Sequence, residues 1–460
     1  MTRRSLDLGV LDVLPIRAAE LDSPEAIEQW LRSAGSAERS RQVSSMSKRL
    51  ARFVALLDHA TGPEVLASVD PDVAVRMLKA AGPDQGAQWL QDIDPDHGAE
   101  ILRRTDNSAR ELLLARIDPK YGQALTEILR CPPKSVAAHM LPNAFVVTES
   151  MSAAESESTV RAQSSTVLGR ARADAYIYVT DTDRRLTGLL EFQDLVLAEP
   201  NQTVAQLMQG DPFTVGPLVD AEQAAKSLVD RELAALPVVD EDHKLLGVLT
   251  ADIAADIIRR AATEDAERQG GSAPLEVPYL RASPARLWRK RIVWLLVLFV
   301  AEAYTGTVLR AFEEEMEAVV ALAFFIPLLI GTGGNTGTQI TTTLVRALGT
   351  GEVSLRDLPR ILAKEMSTGF LIAAAMAAAA LVRAWTLGVG LEVTITVCLT
   401  VGAIVLWSSL VASILPPALK KMKLDPAVVS APMIATIVDG TGLMIYFGIA
   451  HLMLPQLAGL

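Results

Sequence analysis

Two stretches carry residues whose chemistry conflicts with their surroundings. In "APMIATIVDGTGLMIYFGIA" (431–450), Asp439 stands in an apolar run that extends over 428–453. It lies ~17 Å into that run at 1.5 Å per residue, close to the middle of a bilayer core. In "IPLLIGTGGNTGTQITTTL" (326–344), an apolar run gives way to Gly331, Gly333, Gly334, Asn335 and Gly337. Only thirteen consecutive apolar residues, 318–330, precede those glycines. They cover ~20 Å, which is too short to span, so the glycine-rich segment must lie at membrane depth. The glycines suit either a close helix–helix contact or an unwound backbone whose free carbonyls line a polar path.

Asp439 favours the second reading. A carboxylate at the centre of a span costs roughly 3 kcal/mol and must face a partner or water. No Lys or Arg stands at comparable depth in any span, which leaves a proton or a cation. Oxygen-only ligands with one acid suit a hard cation. Mg2+, which dehydrates reluctantly, accepts a single carboxylate with carbonyls and retained waters, whereas K+ or Na+ sites more often dispense with the acid. The histidines, His97 and His451 among them, show no paired metal spacing, and there is no Walker loop, phosphorylated-aspartate signature or nucleophile motif. The chain is therefore read as a non-enzyme without ATP-driven pumping.

Five spans must position these groups: 292–310, 318–346, 359–386, 391–415 and 428–453. Basic residues punctuate them at "RLWRKR" (286–291), at Arg356, Arg360 and Lys364, and at "KKMK" (420–423). The positive-inside rule makes those segments and the charge-rich first 285 residues cytoplasmic, with the C-terminus extracytoplasmic and the lipid bilayer of a cell membrane as host. The first span lies far from the N-terminus, so no cleavable signal peptide is expected. Cys131 and Cys398 are the only cysteines, which fits a reducing compartment, and the net charge of −11 argues against nucleic acid as a partner.

The soluble half has two textures. Pro71, Pro83, Pro95 and Pro119 are spaced in multiples of twelve, with Asn107 in the missing place. Most follow an aspartate and open a short amphipathic segment, which predicts an α-helical superhelix over 1–136. Over 137–262 the pattern becomes mixed α/β and occurs twice: "YIYVTDTDRRLTGLLEFQDL" (176–195) and "LPVVDEDHKLLGVLTADIA" (236–254) superimpose at an offset of 59. This repeat resembles a tandem pair of cystathionine-β-synthase (CBS) domains, a resemblance that implies ATP or another adenine nucleotide as a possible ligand. Residues 263–286 read as a connecting helix and linker, and 287–460 as the five-span membrane domain.

Four segments then make a wider resemblance specific: "LLIGTGGNTGTQ", "ALAFFIPLL", "LKKMKLDPAVVSAPMIATIVDGTGLMIYF" and the "ATED" of 262–265. Over essentially its whole length the chain resembles the MgtE-type magnesium channels. The resemblance implies a homodimer with a Mg2+ pathway at the subunit interface, closed when cytosolic Mg2+ binds acids between the N, CBS and connecting elements. It makes Asp439 the principal pore acid, with Gly331, Ala435 and Asn335 framing the ion. Glu264 and Asp265 match acids of the connecting helix, and Asp252, Asp256, Asp220 and Glu222 match CBS positions. Ile253 and Ala261 stand where that family often carries acids, which predicts weaker Mg2+ gating or a higher threshold. Transport of Co2+ or Mn2+, a non-conducting CBS sensor and proton coupling are the competing readings. Two further acidic features stand apart: "EEEME" (313–317) at the outer mouth, either a cation-concentrating cluster or a solvated loop, and Glu302, read as an acid near the outer interface.

Overall fold

The computed structural model describes residues 21–46, 49–142, 144–163, 176–275, 277, 279, 282–422 and 431–457. Contacts divide the chain into two units, Met1–Ala261 and Ala262–Leu460.

The first unit begins with helices α1 (Pro24–Ser33), α2 (Ser36–Ser45), α3 (Leu50–Val54), α4 (Thr61–Ser68), α5 (Pro71–Ala81), α6 (Pro83–Gln91), α7 (Pro95–Arg104), α8 (Asn107–Leu114) and α9 (Pro119–Arg130). The twelve-residue punctuation is structural. Each of the four prolines occupies a first helical position, where its missing N–H costs nothing. Asp70, Asp106 and Asp118 accept first-turn backbone N–H groups at 3.0, 2.9 and 2.9 Å, capping α5, α8 and α9. Helices α3, α5, α7 and α9 pack in succession, as do α4, α6 and α8, giving the expected superhelix around Trp30, Met77, Trp89 and Leu102.

The α/β repeat follows. Strands β1 (Val146–Thr148), β2 (Tyr176–Thr180), β3 (Leu186–Glu191) and β4 (Gln209–Gly210) form one sheet in that order, with β1 parallel to β2 and the other pairs antiparallel. Strands β5 (Ala235–Val239) and β6 (Leu245–Thr250) form an antiparallel pair. Helices α10 (Ala153–Gln163), α11 (Phe192–Leu197), α12 (Val204–Leu207), α13 (Ala221–Asp230) and α14 (Ala251–Gln269) accompany them. The offset of 59 survives in detail. The register of β2 on β3 shifts at Val179/Thr180 and that of β5 on β6 at Val238/Val239. Asp181 and Asp240 organise equivalent turns, each accepting two backbone N–H groups at 2.8–2.9 Å. Arg184 and His243 take matching positive φ angles of 65° and 61°. Parts of the quoted repeat context, residues 143 and 164–175, lie outside the described residues.

Among the described residues, the second unit holds five helices long and apolar enough to cross a membrane. They are α15 (Pro284–Ala311), then, after the short α16 (Glu313–Ala318), α17 (Ile326–Thr350), α18 (Leu358–Leu387), α19 (Leu391–Lys421) and α20 (Ala431–Met453). Helix α15 begins eight residues before the expected span and takes "RLWRKR" into its first turns. Helix α17 packs on both α19 and α20, and α15 packs on α20. Residues 423–430 of the expected cytoplasmic loop lie outside the described residues.

Candidate ion site in the membrane unit

The glycine-rich stretch is helical, which corrects the expectation of an unwound backbone. Helix α17 runs without interruption through Gly331–Gly337. Its irregular part lies earlier, in a 3-10 turn at Val320–Phe325, where the Tyr446 hydroxyl donates to the Leu322 carbonyl at 3.0 Å. The glycines are used for approach instead. A methyl group on Gly333 would lie 2.6 Å from Ile404 Cγ2 and 2.7 Å from Val438 Cγ1. One on Gly337 would lie 2.5 Å from Ile434 Cγ2 and 2.8 Å from Ser408 Oγ. Removing those side chains lets α19 and α20 close on α17, and Ser408 donates to the Gly333 carbonyl at 2.7 Å.

That contact sets the position of Asp439. A methyl group on Gly334 would lie 3.2 Å from Ala435 Cβ and 3.6 Å from Asp439 Oδ1. Gly334 therefore lies against both Ala435 and Asp439, one turn apart on α20, and Asp439 is half-buried with no hydrogen bond or ion pair among the described residues. Gly331 and Asn335, one turn apart on α17, are exposed on the surface of the single chain. Nothing lies within 4 Å of a methyl group built on Gly331. The structure thus brings Gly334, one of the glycines named from the sequence, against both Ala435 and Asp439, and sets Asn335 on the adjoining open face.

Glu302 is not at the end of its helix. Tyr304 and Thr305 of α15 pack on Gly440, where an added methyl would lie 2.5 Å from the Tyr304 ring and 3.3 Å from Thr305 Oγ1. Glu302 precedes them by less than one turn, on the helix that packs against the one carrying Asp439. Of "EEEME", Glu315 is neither open loop nor free charge: it is 7% exposed and its Oε1 lies 3.0 Å from His451 Nε2.

The acids matched to a cytosolic sensor are engaged locally. Asp220 caps α13, accepting from the Glu222 and Gln223 backbones at 3.0 and 3.2 Å. Glu222 pairs with Lys226 at 2.6 Å, Asp256 with Arg259 at 2.7 Å and Glu264 with Arg268 at 3.3 Å. Asp252 accepts from the Thr250 hydroxyl, and Asp265 is also engaged. Among the described residues, the group of three ligands close enough to hold one metal is another, Asp94, Asp96 and His97 at the start of α7, with ligand atoms within 4.8 Å of one another. Burial raises the Asp96 carboxyl above its usual range, although His97 beside it acts in the opposite sense. Spacing alone hid this group, because one histidine in "DPDH" offers no second ligand pair.

The residues that frame Asp439 fall inside a match, over 326–449, to the model of a divalent cation transporter family, MgtE. Residues 36–134 match the MgtE intracellular N domain and 204–259 a CBS domain. The magnesium transporter MgtE of Thermus thermophilus is 34% identical over 342 residues, 74% of each chain. The chain belongs to the MgtE family. The magnesium transporter MgtE of Bacillus subtilis is 31% identical over 60% of each chain. Among solved structures, the cytosolic domain of the Mg2+ channel MgtE in complex with ATP aligns at 26% identity, covering 52% of this chain and 97% of that one, with a TM-score of 0.47. As an MgtE-family member the protein is a multidomain, multi-pass membrane protein: a helical superhelix, a CBS pair, a connecting helix and five membrane helices.

Proposed function

We propose that this MgtE-family chain carries Mg2+ passively through the membrane along a pathway past Asp439. The observation that carries the reading is an unpartnered carboxylate at span depth, fixed by the Gly333–Gly337 packing and opening onto the face that bears Asn335. Inward flow of a divalent ion gains roughly 4–5 kcal/mol from a 100 mV inward-negative potential. Because α17 and α20 are helical, their carbonyls are already hydrogen-bonded and are poor substitutes for the ion's hydration shell. The cation passes Asp439 with most of its waters, a mode that suits Mg2+, the ion slowest to shed them.

A second copy of the chain covers the Gly331–Asn335 face in this reading, since a polar amide exposed to lipid would be costly. The soluble half and the basic segments are cytoplasmic and the C-terminus is outside, as the cation distribution requires. The four-part division at 136, 262 and 286 is retained. Cytosolic Mg2+ closes the pathway by binding the acids around Asp252, Asp256, Glu264 and Asp265, with Asp220 and Glu222 as further contributors. ATP or a related adenine nucleotide occupies the CBS pair, which equilibrium dialysis with labelled nucleotide would test.

The deciding experiment is growth at low Mg2+ in a strain lacking its own Mg2+ import. The native chain restores growth and Asp439→Ala does not, at equal membrane expression. Equal rescue by both removes the site.

A further inference from the structure

Two acids, Glu302 and Asp439, stand in the membrane helices α15 and α20, which pack on each other. Helices α15 and α20 are the first and fifth of five spans and so cross in the same direction. Their mutual level is fixed by Tyr304 and Thr305 against Gly440. Glu302 lies two to three residues before that contact and Asp439 one residue before it, which puts the two acids within ~3 Å of the same depth.

Glu302 also lies on the edge of the α15 stripe that faces α20. It comes three residues before Thr305, which is buried at 6% exposure, as is Val308 three residues later at 7%. Glu302 itself is exposed and has no hydrogen bond or ion pair among the described residues. Lipid is an untenable neighbour for such a group, and from mid-helix a short carboxylate cannot reach either interface. Thr305 gives a second and independent sign. Its Oγ1 is buried against the Gly440 backbone and has no hydrogen-bond partner. Helical threonines in this unit commonly bond the carbonyl one turn back, as Thr332, Thr336 and Thr400 do at 2.7–2.8 Å. This unpaired hydroxyl marks an unsatisfied polar group inside the α15–α20 contact, one helical turn or less from Glu302 on the chain.

We propose that Glu302 lines the ion pathway beside Asp439 and that the two carboxylates hold one hydrated divalent cation through its own waters. The proposal rests on Asp439 being the pathway acid. It makes α15, and not only α17 and α20, a determinant of divalent-cation affinity.

The test uses the full chain in proteoliposomes, reading initial Mg2+ influx against Mg2+ concentration. Glu302→Gln raises the half-saturating concentration by roughly three- to tenfold, as expected for removing one charge several ångströms from a divalent ion, and leaves maximal flux within about twofold. Glu302→Asp recovers part of the loss. A Glu302→Gln curve that overlays the native one, while Asp439→Asn abolishes flux, overturns this proposal and leaves the Asp439 pathway standing. Native flux through Asp439→Asn overturns both. If Glu302→Gln loses flux altogether, Glu302→Cys in a chain with Cys131 and Cys398 replaced by serine decides. Modification by a membrane-impermeant cationic thiol reagent, slowed by Mg2+, supports the assignment. A cysteine that does not react overturns it.

Discussion

Replacing Gly333 by alanine adds one methyl group between α17, α19 and α20. That carbon would sit 2.6 Å from Ile404 Cγ2 and 2.7 Å from Val438 Cγ1. Carbon atoms prefer about 3.5–4.0 Å, so both neighbours must retreat by about 1 Å. Neither has room, since Ile404 is 1% and Val438 0% exposed. A squeeze from both sides belongs in the upper half of the 1–3 kcal/mol range for overpacking, and alanine's better helix propensity returns up to ~1 kcal/mol. The net loss is about 1–2 kcal/mol, or a fall of ~2–8 °C in Tm for a unit of this size. The control is Gly448→Ala in α20, where nothing lies within 4 Å of the added carbon and the propensity gain of up to ~1 kcal/mol is unopposed. Both proteins are heated in detergent and the folded fraction is read by fluorescence-detected size exclusion. If Gly333→Ala melts with or above the native chain, or Gly448→Ala falls as far, the glycines do not act through close helix contact.

Two further outcomes concern residues that precede the first membrane helix. Burial raises the Asp96 carboxyl, so the folded state binds that proton more tightly than the unfolded chain does, and stability is lost as pH rises through the window between the unfolded and folded values. Asp96→Asn, which cannot ionise, should therefore gain stability at pH 7–8 and lose that advantage toward pH 4, as read by denaturant titration of the full chain. A benefit independent of pH would refute the desolvation account. Limited proteolysis of residues 1–285 across a Mg2+ series should show protection, with a midpoint that rises in Glu264→Gln; an unchanged pattern up to about 10 mM counts against a Mg2+ sensor.

The sequence exposes whatever is written as a period. Prolines every twelve residues locate helix starts because proline is tolerated in only a few places, and the offset of 59 predicts even the paired bulges and the positive-φ residues Arg184 and His243. Glycine is harder to read, since one residue type serves both unwinding and close approach. At 331–337 the second use prevails, because a bilayer penalises unpaired backbone more than helix formation penalises glycine. Groups assembled by packing leave no local signature at all. Glu302 and Asp439 are 137 positions apart in the chain, and only the seating of Tyr304 on Gly440 sets them level. The acids matched to a sensor by resemblance present the reverse case: each is recognisable by likeness, yet Glu222, Asp256 and Glu264 have lysine or arginine partners, Asp220 caps a helix and Asp252 accepts from the Thr250 hydroxyl, none of which a list of carboxylates foresees.

The helical state of α17 also bears on how an ion could be selected. An unwound segment would offer carbonyls in place of water and would reward cations that dehydrate readily. A continuous helix offers side chains on a fixed lattice instead. Gly333 and Gly337 are consumed by the contact with α19 and α20, so Gly334 is left against Ala435 and the Asp439 carboxylate emerges where the protein stops filling space. Its position is held by packed backbone on three helices and not by hydrogen bonds of its own. Such an acid cannot collapse onto a small bare ion without breaking that packing, but it can meet a larger, ordered hydration shell at no structural cost. In the proposed pathway, rigid placement combined with an unsatisfied charge would favour the divalent ion that keeps its waters longest, which is Mg2+.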